Sequence, residues 1–180
     1  MNEAEFLQRQ IALEERHLER LLEDLTLALG ARFAPPIIEP FCEAASEYLE
    51  FALSRRLQRV RKLAALLSTR ATTDNGAMAA RAQESRRIVS HLEQAAAAAS
   101  SAAAAATSHV LRCRELLDLY SSALLRGDAT LTTSLAAQLE IEDWRALAAV
   151  DADSILKERS RYAAVAATAP PGVAVLDGGG

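Results

Sequence analysis

The stretch LQRQIALEERHLERLLEDLTLA, Leu7 to Ala28, decides the fold. Leu7, Ile11, Glu14, Leu18, Leu21, Leu25 and Ala28 follow one another at steps of four and three. That spacing returns a side chain to one face of an α-helix on every turn and marks the seam of a helical bundle. The predicted helix covers about residues 3 to 29. Gly30 supplies its stop. The bend follows in ARFAPP, because Pro35 and Pro36 cannot continue a hydrogen-bond ladder. One seam position is anomalous. Glu14 stands where Leu or Ile is expected, and a carboxylate there must be paired, ligated or protonated.

The same pattern recurs along the chain. A second helix starts near Pro36 or Ile37 and runs to about Leu67, with Phe41, Ala45, Leu49, Leu53, Leu57, Val60, Ala64 and Leu67 on its stripe. It ends at STRATTDNGA, where Asn75-Gly76 is a turn signal. In the third segment Ile88, Leu92, Ala96, Ala99, Ala103, Ala106, Val110, Cys113, Leu117, Tyr120 and Leu124 keep near-heptad spacing. Read as one helix from Met78 to Leu125, it is about 70 Å long. Its middle, QAAAAASSAAAAATS, holds ten alanines between Ala95 and Ala106. This is either a thin helix that allows close approach or a low-complexity linker. The register survives across it and Ala costs little helix entropy, which favours continuity.

LRGDATL is the next break, with Gly127 to close one helix and Asp128 or Thr130 to cap a short one from about Leu131 to Gln138. The segment IEDWRALAAVDADSILKERSRYAAVAA is amphipathic through Trp144, Leu147, Val150, Ile155 and Leu156. Trp144, the single tryptophan, is expected to anchor this segment to the bundle rather than to bind a ligand. Pro170, Pro171 and the closing glycines read as a loose tail. The expectation is an all-α chain: an antiparallel four-helix bundle over residues 1–165 with a long Ala-rich third helix, and a flexible tail over 166–180.

Composition agrees. Hydrophobic residues make up 51% and aromatics 4%, so Ala and Leu, both good helix formers, carry the apolar fraction. A net charge of -4 gives no global pull toward nucleic acid. The basic run Arg55, Arg56, Arg59, Arg61 and Lys62 is most simply a solvated helix face. MNEAEFLQRQ is polar and acidic, unlike a signal peptide. Gln94 to Leu111 carries no charge, but it is mostly Ala, Ser and Thr, so a soluble helix is expected and no membrane span. Cys42 and Cys113 form no metal-like cluster and lie on apolar stripes, which suits small core residues in a reducing cytoplasm.

Glu14 and His17 lie three apart, so both side chains reach one inward point. Paired Glu-x-x-His elements supply ligands in some di-metal bundles, and this chain has one copy. His109 sits between Ala106 and Cys113 at helical spacing and is placed to face the same core. On the second helix Glu47 and Glu50 flank the Leu53 and Leu57 stripe. Glu14, His17, Glu47, Glu50 and His109 are therefore the candidate metal ligands, for iron or another divalent ion. Three histidines are a thin supply for such a centre. There is no glycine-rich phosphate loop, no G-x-S-x-G and no H-E-x-x-H.

Three stretches resemble the hemerythrin-like (HHE cation-binding) bundles. HLERLLEDL, with His17, is similar to their first-helix histidine segment. SHVLRCRELLDLY, with His109, is similar to the third-helix one. LEIEDWRALAAVDADSIL resembles the E-D-W segment that follows the last helix. The resemblance implies four helices around a non-haem di-iron centre that serves oxygen binding, sensing or iron handling. His17 and His109 match its ligands. Where the family supplies a second-helix histidine and glutamate, this chain has FALSRR at Phe51 to Arg56. LTTSLAAQLE lacks the histidine-x-x-x-glutamate before the tryptophan.

Three functions follow as expectations. The first is a non-enzymatic, hemerythrin-like adaptor, regulatory or assembly protein with an altered metal site and no resident cofactor. Its partner is another protein or a second copy, since Ala seams permit a close homodimer. The second is a non-haem iron sensor or oxidoreductase. The third is a secretion-type helical chaperone that holds another helix.

Overall fold

The computed structural model describes residues 2–71, 77–120, 139–148 and 152–173. Among these the chain is all-helical: α1 (Glu3–Gly30), α2 (Pro35–Ala71), α3 (Ala77–Ala105), α4 (His109–Leu119), α5 (Ile141–Ala148) and α6 (Ala152–Thr168). The short helix expected over 131–138, its caps and the end of the tail lie outside the described residues.

Helix α1 begins with a reciprocal cap. Asn2 Oδ1 accepts from the Glu5 amide at 2.8 Å, and Glu5 Oε2 accepts from the Asn2 amide at 3.1 Å. Two of the helix's otherwise unpaired donors are satisfied in this way. At the other end Ala31 turns extended while its amide donates to the Leu27 carbonyl at 2.9 Å. Helix α2 then starts at Pro35, in the first turn, where a missing N–H costs nothing.

The expected stripe of α1 faces the core. Leu7, Leu18, Leu21, Leu25 and Ala28 are buried, and Ile11 and Glu14 are half-buried. Helix α2 is the hub and packs against α1, α3, α4, α5 and α6. Its stripe is buried from Phe41 to Leu67 except for half-buried Leu57. The main core joins α1, α2, α3, α4 and α6. A smaller core sets Trp144 and Ala148 of α5 against Leu7 of α1. Trp144 does anchor its segment, and Arg145 reinforces it with two 2.6 Å bonds to the Glu3 carboxylate.

The long third helix is not continuous. It ends at Ala105, and the chain folds back through residues 106–108 so that α4 packs on α3. Ala95, Ala98, Ala99 and Ala102 line a groove whose other wall is Glu115, Asp118 and Leu119. The turn has local causes. Ser108 is extended (φ -146°, ψ 157°), and its hydroxyl accepts from the Leu111 amide at 3.3 Å. Glu39 of α2 accepts from the His109 amide at 3.0 Å. A serine side chain and a carboxylate thus satisfy the first turn of α4, and alanine allows the two helices to lie close. Among the described residues no helix is long and apolar enough to cross a membrane.

Candidate functional site

The run of arginines on α2 is not a solvated face. Arg55, Arg56 and Arg59 are 8%, 3% and 9% exposed. Their partners are the two adjacent glutamates of α1. Glu14 Oε1 accepts from Arg55 Nη2 at 2.6 Å, and Glu14 Oε2 accepts from Arg55 Nε at 3.2 Å and Arg59 Nη1 at 2.6 Å. Glu15 takes Arg59 Nη2 at 3.0 Å and Arg56 Nη2 at 3.3 Å. Arg55 and Arg59 are four apart on α2, so both reach one point on α1. Arg55 also donates to the Ala148 carbonyl at 3.3 Å, which ties α5 to the same cluster. Only Arg61 and Lys62 of the run face solvent, and Arg61 pairs with Glu93 at 2.6 Å.

His17, one turn from Glu14, looks toward α6. Its Nδ1 lies 2.7 Å from Glu158 Oε1, and the Tyr48 hydroxyl donates to that same oxygen at 2.9 Å. The imidazole stacks on the Tyr162 ring, with centroids 4.0 Å apart and planes within 10°. Tyr162 also meets Tyr48 in a tilted contact at 5.5 Å. Glu158 and Tyr162 are four apart on α6 and share its buried face with Val165. Leu156, placed by the sequence on that stripe, is 65% exposed instead.

Burial of these groups has chemical consequences. The Tyr48 phenol is pushed far above its ordinary range, first by desolvation and then by the charges of Glu158 and Glu14. Desolvation also raises Tyr162, and the charge of Asp24 adds to it. Asp24 is fully buried, with Arg20 Nε at 3.3 Å from Oδ2. Burial raises its carboxyl, Arg20 opposes the rise and Glu23 adds to it. An ionised carboxylate has only acceptors to offer, so His17 Nδ1–H is the donor toward Glu158. The arrangement has the form of an oriented imidazole with a buried carboxylate behind it.

The five candidate ligands have different surroundings. Glu14 and His17 belong to adjoining clusters but take different partners. His109 sits at the start of α4 with its side chain 41% exposed, its Nε2 3.9 Å from Glu43 and no contact to His17. Glu47 is exposed, and its carbonyl accepts from Arg161 Nη1 at 3.0 Å. Glu50 accepts from Arg112 Nε at 3.1 Å. Among the described residues no group of three or more His, Cys, Asp or Glu side chains is arranged to hold a metal.

Sequence reasoning missed Glu158, Tyr48 and Tyr162. One signal was available: Glu158, Tyr162 and Val165 follow helical spacing, and a glutamate on that face raises the same question as Glu14. A comparison with protein-family models, with curated proteins and with solved structures finds no match to this chain.

Proposed function

We propose that the chain is a non-enzymatic helical adaptor, regulatory or assembly protein of the cytoplasm. In this reading it is hemerythrin-like in outline: an antiparallel four-helix bundle in which the α3–α4 hairpin stands for the long third helix. One observation carries the reading. The acidic groups beside His17 are already engaged by the protein itself, Glu14 by two guanidinium groups and Glu158 by Tyr48 and His17. Such a seam ties α1, α2 and α6 together, and in this reading it serves to fix their register, a role buried pairs play in some bundles.

Metal content and association state test the proposal together. Protein purified without chelator is expected to carry less than about 0.1 iron or zinc per chain. It is expected to co-purify with a protein or to self-associate in light scattering. One metal per chain, lost in both His17→Ala and Glu158→Gln, overturns the reading. A strict monomer without any partner overturns the adaptor role. The second reading, a non-haem iron sensor, is favoured by one feature: His17 and the buried Glu158 carboxylate meet beside Tyr48. It requires Glu14 to leave its arginines when the ion binds.

A further inference from the structure

Three carboxylates are withdrawn from water on or against α1, and they are not equally provided for. Glu14, its side chain 16% exposed, accepts three N–H bonds from Arg55 and Arg59. Glu158, 6% exposed, has the Tyr48 hydroxyl and His17 Nδ1 on one oxygen. Asp24 is the most deeply placed, with its side chain 1% exposed, and neither of its oxygens accepts a hydrogen bond from a described residue. Arg20 Nε lies 3.3 Å from Oδ2 as an ion pair one turn away on the same helix. The Arg20 side chain is 35% exposed and also reaches Glu23 at 3.4 Å, so water and a second carboxylate weaken its hold. A buried charge without hydrogen bonds is costly, and taking up a proton removes that cost.

The position of Asp24 on α1 gives this consequence a place to act. Seven residues are close to two helical turns, so Asp24 shares the face that His17 turns to α6. On that face the meeting of α1 and α6 is polar and aromatic: His17 against Glu158 and stacked on Tyr162. The titratable and charged groups around it are His17, Arg20 and Glu23 of α1, Glu158 and Tyr162 of α6, and Tyr48 of α2. Helix α6 also has its own ties to α2, through Tyr48 with Glu158 and through Arg161 Nη1, which donates to the Glu47 carbonyl at 3.0 Å.

We propose that Asp24 is a pH-sensitive latch on α1, which lets the His17 face close on α6 when its carboxyl holds a proton and loosens that face when it is charged. Burial raises the Asp24 carboxyl above its ordinary value of 3.8, Arg20 opposes the rise and Glu23 adds to it. The native state therefore holds this proton more tightly than the unfolded chain does. The stability that protonation confers is complete below the ordinary carboxyl value and is lost as pH climbs through the raised folded one. Helix α6 remains on α2 in both forms, and only its contact with α1 responds.

The test compares the full chain with Asp24→Asn and Asp24→Leu, neither of which can ionise at this position. Urea midpoints are measured from about pH 8 down to about pH 4, across the range in which a raised carboxyl titrates. At the upper end the better of the two variants is expected to exceed the parent, and the gap is expected to shrink on acidification. His17, Glu158 and the tyrosines are common to all three proteins, so the change in the gap isolates Asp24. In an Arg20→Gln background the gap is expected to persist to lower stability of the charged form and to close at a higher pH, because the opposing charge is gone. Hydrogen exchange at neutral pH is expected to be slower in the variants in peptides from the second half of α1 and from α6, with α3 and α4 unchanged. Two variants that are both less stable than the parent at the upper end, or a gap that does not vary with pH, overturn the proposal. A variant that fails to fold counts as one less stable. A stabilised variant whose α1 and α6 exchange as in the parent overturns the latch, because the charge then loosens nothing at that contact.

Discussion

Glu14→Leu puts on the α1 seam the residue its spacing calls for, and it is expected to destabilise the protein. Breaking a buried ion pair by removing one partner costs about 3–5 kcal/mol, because the other charge stays buried. Three features reduce that figure here. The Glu14 side chain is 16% exposed, against 9% for Arg55 and 10% for Arg59. Arg55 keeps the Ala148 carbonyl and the Phe51 ring, and Arg59 keeps Glu15. The new leucine also buries apolar surface. The expected loss is therefore about 2–3 kcal/mol, which lowers the melting temperature of a chain this size by roughly 4–12 °C. Urea unfolding followed by helical circular dichroism measures it. The triple variant Glu14→Leu, Arg55→Met, Arg59→Met is expected to recover to within about 1 kcal/mol of the parent, since apolar replacement of a whole buried ion cluster is often neutral. A single Glu14→Leu variant as stable as the parent would refute the reasoning, and so would a triple variant whose loss is the sum of its parts.

Three further outcomes are expected. Tyr48→Phe leaves Glu158 with His17 alone and should cost about 1.5–3 kcal/mol in urea unfolding, as the lost bond reaches a buried carboxylate; no loss would mean the hydroxyl is unnecessary to the seam. Ser108→Ala removes the cap of α4 and should cost about 1 kcal/mol; an unchanged midpoint would leave Glu39 as the sole support of the turn. All three tyrosines have phenols raised above their ordinary value of 10.0, chiefly by burial. A raised folded value keeps the proton on the native state, so this contribution to stability is complete below about pH 10 and is lost as pH climbs above it. Phenolate absorbance should therefore appear together with loss of the helical signal, and ordinary titration with the helices intact would contradict the burial.

The helices were largely legible. Leu7 to Ala28 has a strong period and a Gly-Pro bend after it, and these local features need no partner to act. The α2 stripe was legible for the same reason, and Trp144 because a large apolar side chain has few other uses. The α3–α4 turn was not legible. Thr107 and Ser108 occur in an alanine run whose register continues through them, and nothing nearby in the chain reveals that Glu39 will supply an acceptor to His109. The arginine run was misread because a charged residue on a helix flank is usually solvated, and only the placement of α1 shows that Glu14 and Glu15 face it.

The sequence by itself determined that this protein is helical, where its seams run, and that Glu14 needed a partner. Period and propensity are properties of neighbouring residues, so they survive without a fold. Which partner Glu14 took was decided by tertiary structure alone, as was the meeting of His17 with Glu158. Each of those pairings depends on how two distant helices are set against each other, and that is set by the packing of the whole core rather than by any one helix.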